Sequence, residues 1–260
     1  MVSNTLAVLA GLLGLVVGSF LNVVVYRVPR GESIVSPPSH CPRCGSLVRA
    51  RHNVPVVGWV LLRGRCADCR LPISVRYPLV ELVTGLLFAA VALRFGGTAA
   101  LPAYLWFAGV GVALVLIDLD VRRLPNVIVA PSYPILLALL VGAAAWDHDW
   151  RALIRAVIGG AVLFGFYLLL VVAYPAGMGW GDVKLSGLVG GVLAYLSWQA
   201  LLVGAFAAFV LGAAVGLVAM GIGRGGRKTA LPFGPFMIAG VLLAVFAAGP
   251  LSAWYEALLV

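Results

Sequence analysis

Apolar runs recur eight times along this chain, near residues 4 to 25, 78 to 95, 99 to 117, 127 to 146, 152 to 173, 185 to 198, 200 to 222 and 231 to 249. An α-helix needs about 20 residues to cross a ~30 Å hydrocarbon core, and most of the runs approach that length. In lipid each spanning segment must satisfy its own backbone N–H and C=O groups, so every run is predicted to be a helix. Two are weak: the second is short and carries Glu81, and only "SWQ" parts the sixth from the seventh. Composition agrees, since 63% of the 260 residues are hydrophobic and 10% charged, a balance that no water-soluble domain of this size tolerates on its surface. The expected fold class is an all-α polytopic membrane protein of about eight transmembrane helices, with a small cytoplasmic zinc-binding insertion after the first. Gly14 with Gly18 and Gly212 with Gly216 have the spacing of close helix contacts in lipid. That spacing is common in a chain with 32 glycines and decides nothing by itself.

Charge placement orients the chain. With the N-terminus outside and eight crossings, the inside segments are 26 to 77, 118 to 126, 174 to 184 and 223 to 230. They carry nine, two, one and three Lys or Arg, fifteen of eighteen, leaving Arg94, Arg151 and Arg155 outside. This is the positive-inside bias, which the inverted topology would violate. The first run lacks a basic leader and a small-residue cleavage site, so it is expected to stay as a helix. The net charge of +9 is then mainly a topological signature, although a basic inner face also attracts anionic lipid. Nucleic acid is not an expected partner, because the arginines are scattered among Cys, Pro and Gly and not interleaved with aromatics.

About 50 residues lie between the first two runs, far more than a connector needs. They hold all four cysteines, as "CPRC" (Cys41, Cys44) and "CADC" (Cys66, Cys69), with 21 residues between Cys44 and Cys66. Two such knuckles are the ligand set of a four-thiolate zinc site. The topology puts them in a reducing compartment, where metal ligation is favoured over disulfides. A segment this small has little core of its own, which makes a metal staple physically reasonable. A dithiol redox pair and four free thiols are the alternatives, and His40 and His52 read as solvated loop residues.

Three acids draw attention: Asp118 and Asp120 at the inner end of the third run, and Asp182 in "GWGDVKL" at the inner start of the sixth. Counting crossings brings both segments to one membrane face. Two carboxylates that converge in a partly desolvated site cannot both ionise easily, so one keeps a proton while the other stays charged. Such a pair can activate water as general base and protonate a departing amine as general acid. Glycines at 177, 179 and 181 let the backbone turn sharply there. The bland alternative is that Asp118 neutralises Arg122 at i+4 and Asp182 sits in a first helical turn. Asp147 and Asp149 fall outside and read as a solvated loop. Lys184 reads as an inner-face anchor, and Glu81 as a residue that snorkels or meets a base.

Seven motifs in order, "GSFLNVVVYRVPR", the two Cys pairs, "NVPVVGWVLLRGRC", "ISVRYPLVE", "DLDVRRLPN", "GMGWGDVKL" and "LPFGPF", make the chain resemble the prepilin peptidases, or type IV leader peptidases, of pilus assembly and type II secretion. The resemblance implies a G-x-G-D aspartyl peptidase with Asp118 and Asp182 as the catalytic pair and Asp120 outside it. It implies prepilin or pseudopilin substrates with a short basic leader, cut at the cytoplasmic border of a bacterial inner membrane. It implies in many relatives a second activity, methylation of the new N-terminal amine with S-adenosylmethionine. No methyl-donor loop is legible, and "RHNVP" lacks an acid that relatives often place before the Asn. The division expected is residues 1–26 as the first helix, 27–76 as the four-cysteine domain and 77–260 as the peptidase domain. Two rivals remain at this level, an ion-coupled transporter and a non-enzymatic assembly factor. A single chain and a homo-oligomer are equally open.

Overall fold

The computed structural model describes residues 2–175, 178–223 and 231–258. Gly177, and residues 224–230 of the last inside segment, lie outside the described residues. Nine α-helices are found among those described: α1 (Val2–Arg27), the short α2 (Val57–Leu61), α3 (Arg76–Phe95), α4 (Leu101–Val121), α5 (Asn126–Asp147), α6 (Trp150–Ala173), α7 (Trp180–Leu196), α8 (Trp198–Gly221) and α9 (Gly234–Leu258). The eight long ones coincide with the eight apolar runs. Six (α1, α3, α4, α5, α6 and α8) are long and apolar enough to cross a membrane. α7 has only 17 residues, and the apolar stretch of α9 covers Gly234–Gly249. The chain is thus an all-helical, multi-pass membrane protein. By its contacts it divides into two compact units, residues 1–113 and 114–260, with the division inside α4.

In the first unit α1 and α3 pack antiparallel through glycine. A Cβ at Gly14 would lie 2.8 Å from the Gly85 Cα, and one at Gly18 would lie 2.7 Å from the Glu81 Cα, so this pair does mark a close contact. The Gly212 and Gly216 pair meets only side chains. Glu81 neither snorkels nor meets a base: it is buried, and its Oε2 accepts from the Val56 amide at 2.7 Å, just ahead of α2. Val56 has φ 60, a left-handed conformation that a β-branched residue adopts only where its surroundings enforce it. Arg27, at the end of α1, is buried and donates to the Ser33 and Pro37 carbonyls at 2.9 and 2.7 Å.

In the second unit α7 is the central helix, buried from Asp182 to Tyr195 on most of its surface and packed by α5, α6, α8 and α9. Its burial explains why 17 residues suffice: protein, and not lipid, surrounds it. α6 runs antiparallel along it in a clear register. Arg155 donates to the carbonyls of Tyr195 and Leu196 at 2.6 and 3.1 Å, so a cation caps the orphan carbonyls at the end of α7. A Cβ at Gly190 would lie 2.9 Å from the Leu163 Cβ, and Ser186 Oγ reaches the Leu163 carbonyl at 3.4 Å. The "SWQ" break is a tight turn in which the Ser197 hydroxyl accepts from the Ala200 amide at 3.0 Å and caps α8. Asp149 caps α6 in the same way through the Ala152 amide at 3.0 Å, which gives "WDHDW" a capping task beyond that of a solvated loop.

Candidate active site and metal centre

The four cysteines form two copies of one small fold. In the first, the Cys41 amide donates to the Ser46 carbonyl and the Gly45 amide to the Cys41 carbonyl, both at 2.9 Å. In the second, Cys66 donates to Leu71 at 2.9 Å and Arg70 to Cys66 at 3.1 Å. An isolated bridge closes each turn, His40 with Leu47 and Arg65 with Pro72. Gly45 and Arg70 occupy the same left-handed position, φ 73 and 61. The turns face one another, with Cys41 and Cys69 Sγ 3.9 Å apart, Cys44 and Cys66 Sγ 3.9 Å apart, and all four sulfurs within 4.8 Å. A tetrahedral ion with 2.3 Å metal–sulfur bonds has edges of about 3.8 Å. This set can hold a metal ion. Its protonation points the same way: the Ser46 hydroxyl and amide lower the Cys44 thiol to about 6. The Leu71 amide favours the Cys69 thiolate, yet burial and the three other sulfurs push that thiol up to about 11. Without a cation the four thiols resist full ionisation, and a bound dication removes that resistance. His40 is exposed and turns to the Pro38 carbonyl, away from the cluster.

The two aspartates lie in the second unit, each buried and each held the same way. Asp118, in the last turn of α4, accepts through Oδ2 from the Gly234 amide at 3.1 Å. Asp182, the third residue of α7, accepts through Oδ2 from the Gly179 amide at 3.2 Å. The Asp182 bond is the capping contact of the bland reading, but it uses only one oxygen. Asp118 does not neutralise Arg122, whose backbone turns left-handed (φ 53) and ends α4. Leu124 lies against both segments: a Cβ on Gly181, next to Asp182, would meet its Cβ at 2.9 Å, and a Cβ on Gly234 its Cδ2 at 3.3 Å. Among the described residues no hydrogen bond reaches the Oδ1 atom of either aspartate. Lys184 donates to the Asn126 side chain at 2.9 Å and ties the start of α5 to α7. Asp120, two residues past Asp118, is exposed.

Sequence reasoning did not find the part played by Gly234. The motif "LPFGPF" was visible, but its task, an amide for a carboxylate 116 positions away, had no local signal. The Gly-Pro pair at the start of a helix was the one hint, since Pro favours the first helical position.

An all-helical membrane protein with two buried carboxylates at helix ends, each pinned by a glycine amide, and with a separate four-thiolate cluster, belongs to a narrow class of membrane proteins. Two family models match, "Bacterial Peptidase A24 N-terminal domain" over residues 12–95 and "Type IV leader peptidase family" over residues 105–217. Similar proteins include a prepilin leader peptidase/N-methyltransferase of Myxococcus xanthus, 43% identical over 86% of this chain and 66% of that protein. One of Pseudomonas putida is 38% identical over 91% of this chain and 89% of that protein, and one of Aeromonas hydrophila 34% identical over 94% and 91%. The chain belongs to the type IV leader peptidase family, a family of aspartic proteases. No solved structure matches it.

Proposed function

We propose that this protein is an intramembrane aspartyl endopeptidase that removes the basic leader from prepilins or pseudopilins and methylates the new N-terminus. The observation that carries the reading is that Asp118 and Asp182 are both buried at helix ends and each held by one glycine amide, with Leu124 against Gly181 beside the one and Gly234 beside the other. One carboxylate, ionised, takes a proton from water as that water attacks the scissile carbonyl carbon. The other, protonated, gives its proton to the departing amine as the C–N bond breaks. The positive-inside charge pattern supports a cytoplasmic location for this chemistry, with the N-terminus outside. Cleavage of a membrane-embedded prepilin by purified protein, with Asp118→Asn and Asp182→Asn beside the parent, tests it. A transporter or assembly factor would be indifferent to both substitutions.

Zinc is the metal we assign to Cys41, Cys44, Cys66 and Cys69, because four thiolates at tetrahedral spacing suit it and leave no open position, so its task is structural. For S-adenosylmethionine, the first unit has a groove of about 530 Å³ lined by Phe20, Val23, Arg27, Asn53 and neighbours. Phe20 and Val23 supply an apolar wall for an adenine, and the Arg27 guanidinium, bonded to two carbonyls and to no acid among the described residues, supplies charge for a carboxylate. When bound, the group supplies the electrophilic methyl. Arg27→Gln is expected to weaken equilibrium binding of labelled S-adenosylmethionine about tenfold, the scale of one charge-assisted hydrogen bond. Unchanged binding would clear the groove of this role.

Gly234→Ala separates activity from stability. A Cβ there would sit 2.8 Å from Asp118 Oδ2, the free end of a side chain that can swing aside at small cost to the fold. The displaced carboxylate loses its anchor, and a misplacement of about 1 Å costs roughly 100-fold in rate. A drop of that size in cleavage with a nearly unchanged melting temperature is expected, as read by substrate turnover and thermal denaturation.

A further inference from the structure

Three apolar side chains of the four-cysteine segment face away from its own packing. The short helix α2 turns Gly58 and Trp59 inward: a Cβ on the buried Gly58 would collide with the His52 carbonyl, and the Trp59 indole N–H donates to the Ile73 carbonyl at 3.1 Å. Val57, Val60 and Leu61 stand at i, i+3 and i+4, on one helix face, and are 50%, 58% and 72% exposed. We infer that this face is an interfacial anchor, seated among the acyl chains just beneath the headgroups of the leaflet that meets the segment, with the surrounding arginines on anionic headgroups. The inference is independent of the peptidase chemistry.

The neighbours of α2 fix its level. Glu81 stands about 7 Å into α3 from Arg76, at about 1.5 Å a residue, and its carboxylate holds the amide of Val56, the residue before α2, at 2.7 Å. A helical side chain leans toward the N-terminus of its helix, here toward the segment, so α2 begins within about a turn of the end of α3. The three residues before Val56, Asn53 to Pro55, face Val16, Phe20 and Val23 of α1 across the groove. Val16 lies about 16 Å along α1 from its end at Arg27. α1 and α3 are both long and apolar enough to cross a membrane, so the chain enters α2 from beside their spanning parts. An apolar face at that level, pointing away from the protein, meets lipid.

Charge selects which lipid. Residues 27–76 carry nine arginines against two acids, Glu32 and Asp68. Arg43, Arg51, Arg63, Arg65 and Arg70 are exposed, and among the described residues the one ion pair joins Arg49 to Asp68. An apolar face with arginines around it is the composition of a helix that lies in the membrane plane. Three side chains on so short a helix bind weakly alone; the headgroup contacts and the Glu81 tether supply the rest. A protein covering the same face would have to reach it at the membrane border and bring acids of its own to match the arginines.

Photolabelling of the full chain tests this, in nanodiscs of phosphatidylcholine with a quarter phosphatidylglycerol and a phospholipid bearing a diazirine near the top of one acyl chain. Peptide mapping should find labels on Val57, Val60 and Leu61 at a density within about threefold of that on Leu82 and Leu86, which are exposed on α3. Leu61→Asp changes only an exposed side chain and should lower labelling of residues 57–61 about tenfold, because a carboxylate is expelled from hydrocarbon. Val60→Asp should do the same, and unchanged labelling of Leu82 and Leu86 shows in each case that the helices are in place. Replacing phosphatidylglycerol by phosphatidylcholine should lower labelling of 57–61 at least about threefold. Labels confined to the long helices, the result expected of a face reserved for another protein, overturn the anchor. Labelling of 57–61 that is indifferent to phosphatidylglycerol overturns the assignment of anionic lipid.

Discussion

Asp118→Asn and Asp182→Asn are each expected to abolish prepilin cleavage, with a loss of at least about 1000-fold, the scale of a general acid or base. Asparagine is nearly isosteric with aspartate, and its carbonyl oxygen can still accept from Gly234 or Gly179. Fold and substrate binding therefore survive, and what disappears is the exchangeable proton. The two carboxylates act as a unit, so the double variant should be hardly slower than either single one. That non-additivity is the most telling measurement, because two acids that merely capped separate helices would give independent and additive effects on stability and none on turnover. Single-turnover cleavage of a detergent-embedded prepilin by the four proteins reads it directly.

Loss of the metal is the second large effect expected. Structural zinc contributes about 10–16 kcal/mol to the folding of small four-ligand domains, more than most of them have in reserve. Beyond the hydrogen bonds of Arg27, Trp59 and Glu81, the segment from Arg27 to Val75 has three short helical turns, two isolated bridges and one exposed ion pair, Arg49 with Asp68 at 3.3 Å. An exposed pair of that kind is worth under about 1 kcal/mol. Purified protein should carry one zinc per chain. Cys66→Ser, which removes the one buried thiol of the four, should lose it and make residues 40 to 72 sensitive to protease, while the helices stay resistant. A metal-free parent whose loop resists protease would show that the knuckles hold themselves together, and the assigned zinc would then have no structural task.

The helical architecture was legible because length and hydropathy are local quantities. Each of the eight apolar runs became a long helix, and the C-x-x-C pairs announced a common cluster, since each knuckle is a turn closed by its own backbone. The glycine pairs show where that legibility stops. Gly14 with Gly18 and Gly212 with Gly216 look alike in sequence, but only the first pair meets a backbone. Glu81 shows the same: its apolar surroundings suggested a cationic partner, and its partner is the amide of a strained valine, Val56, 25 residues away.

By itself the sequence determined which segments are helices, and that two acids stand at helix ends with four thiols elsewhere. Only the tertiary structure decided which groups those acids meet: the Gly234 amide for Asp118 and the Gly179 amide for Asp182, with Leu124 against Gly181 and Gly234. The reason is physical. In lipid an apolar face gains nothing by turning inward, so hydrophobicity leaves the rotation and register of a helix open. Those are set by small residues that let backbones touch and by a handful of hydrogen bonds, and their partners are scattered too far along the chain to be read from any local pattern.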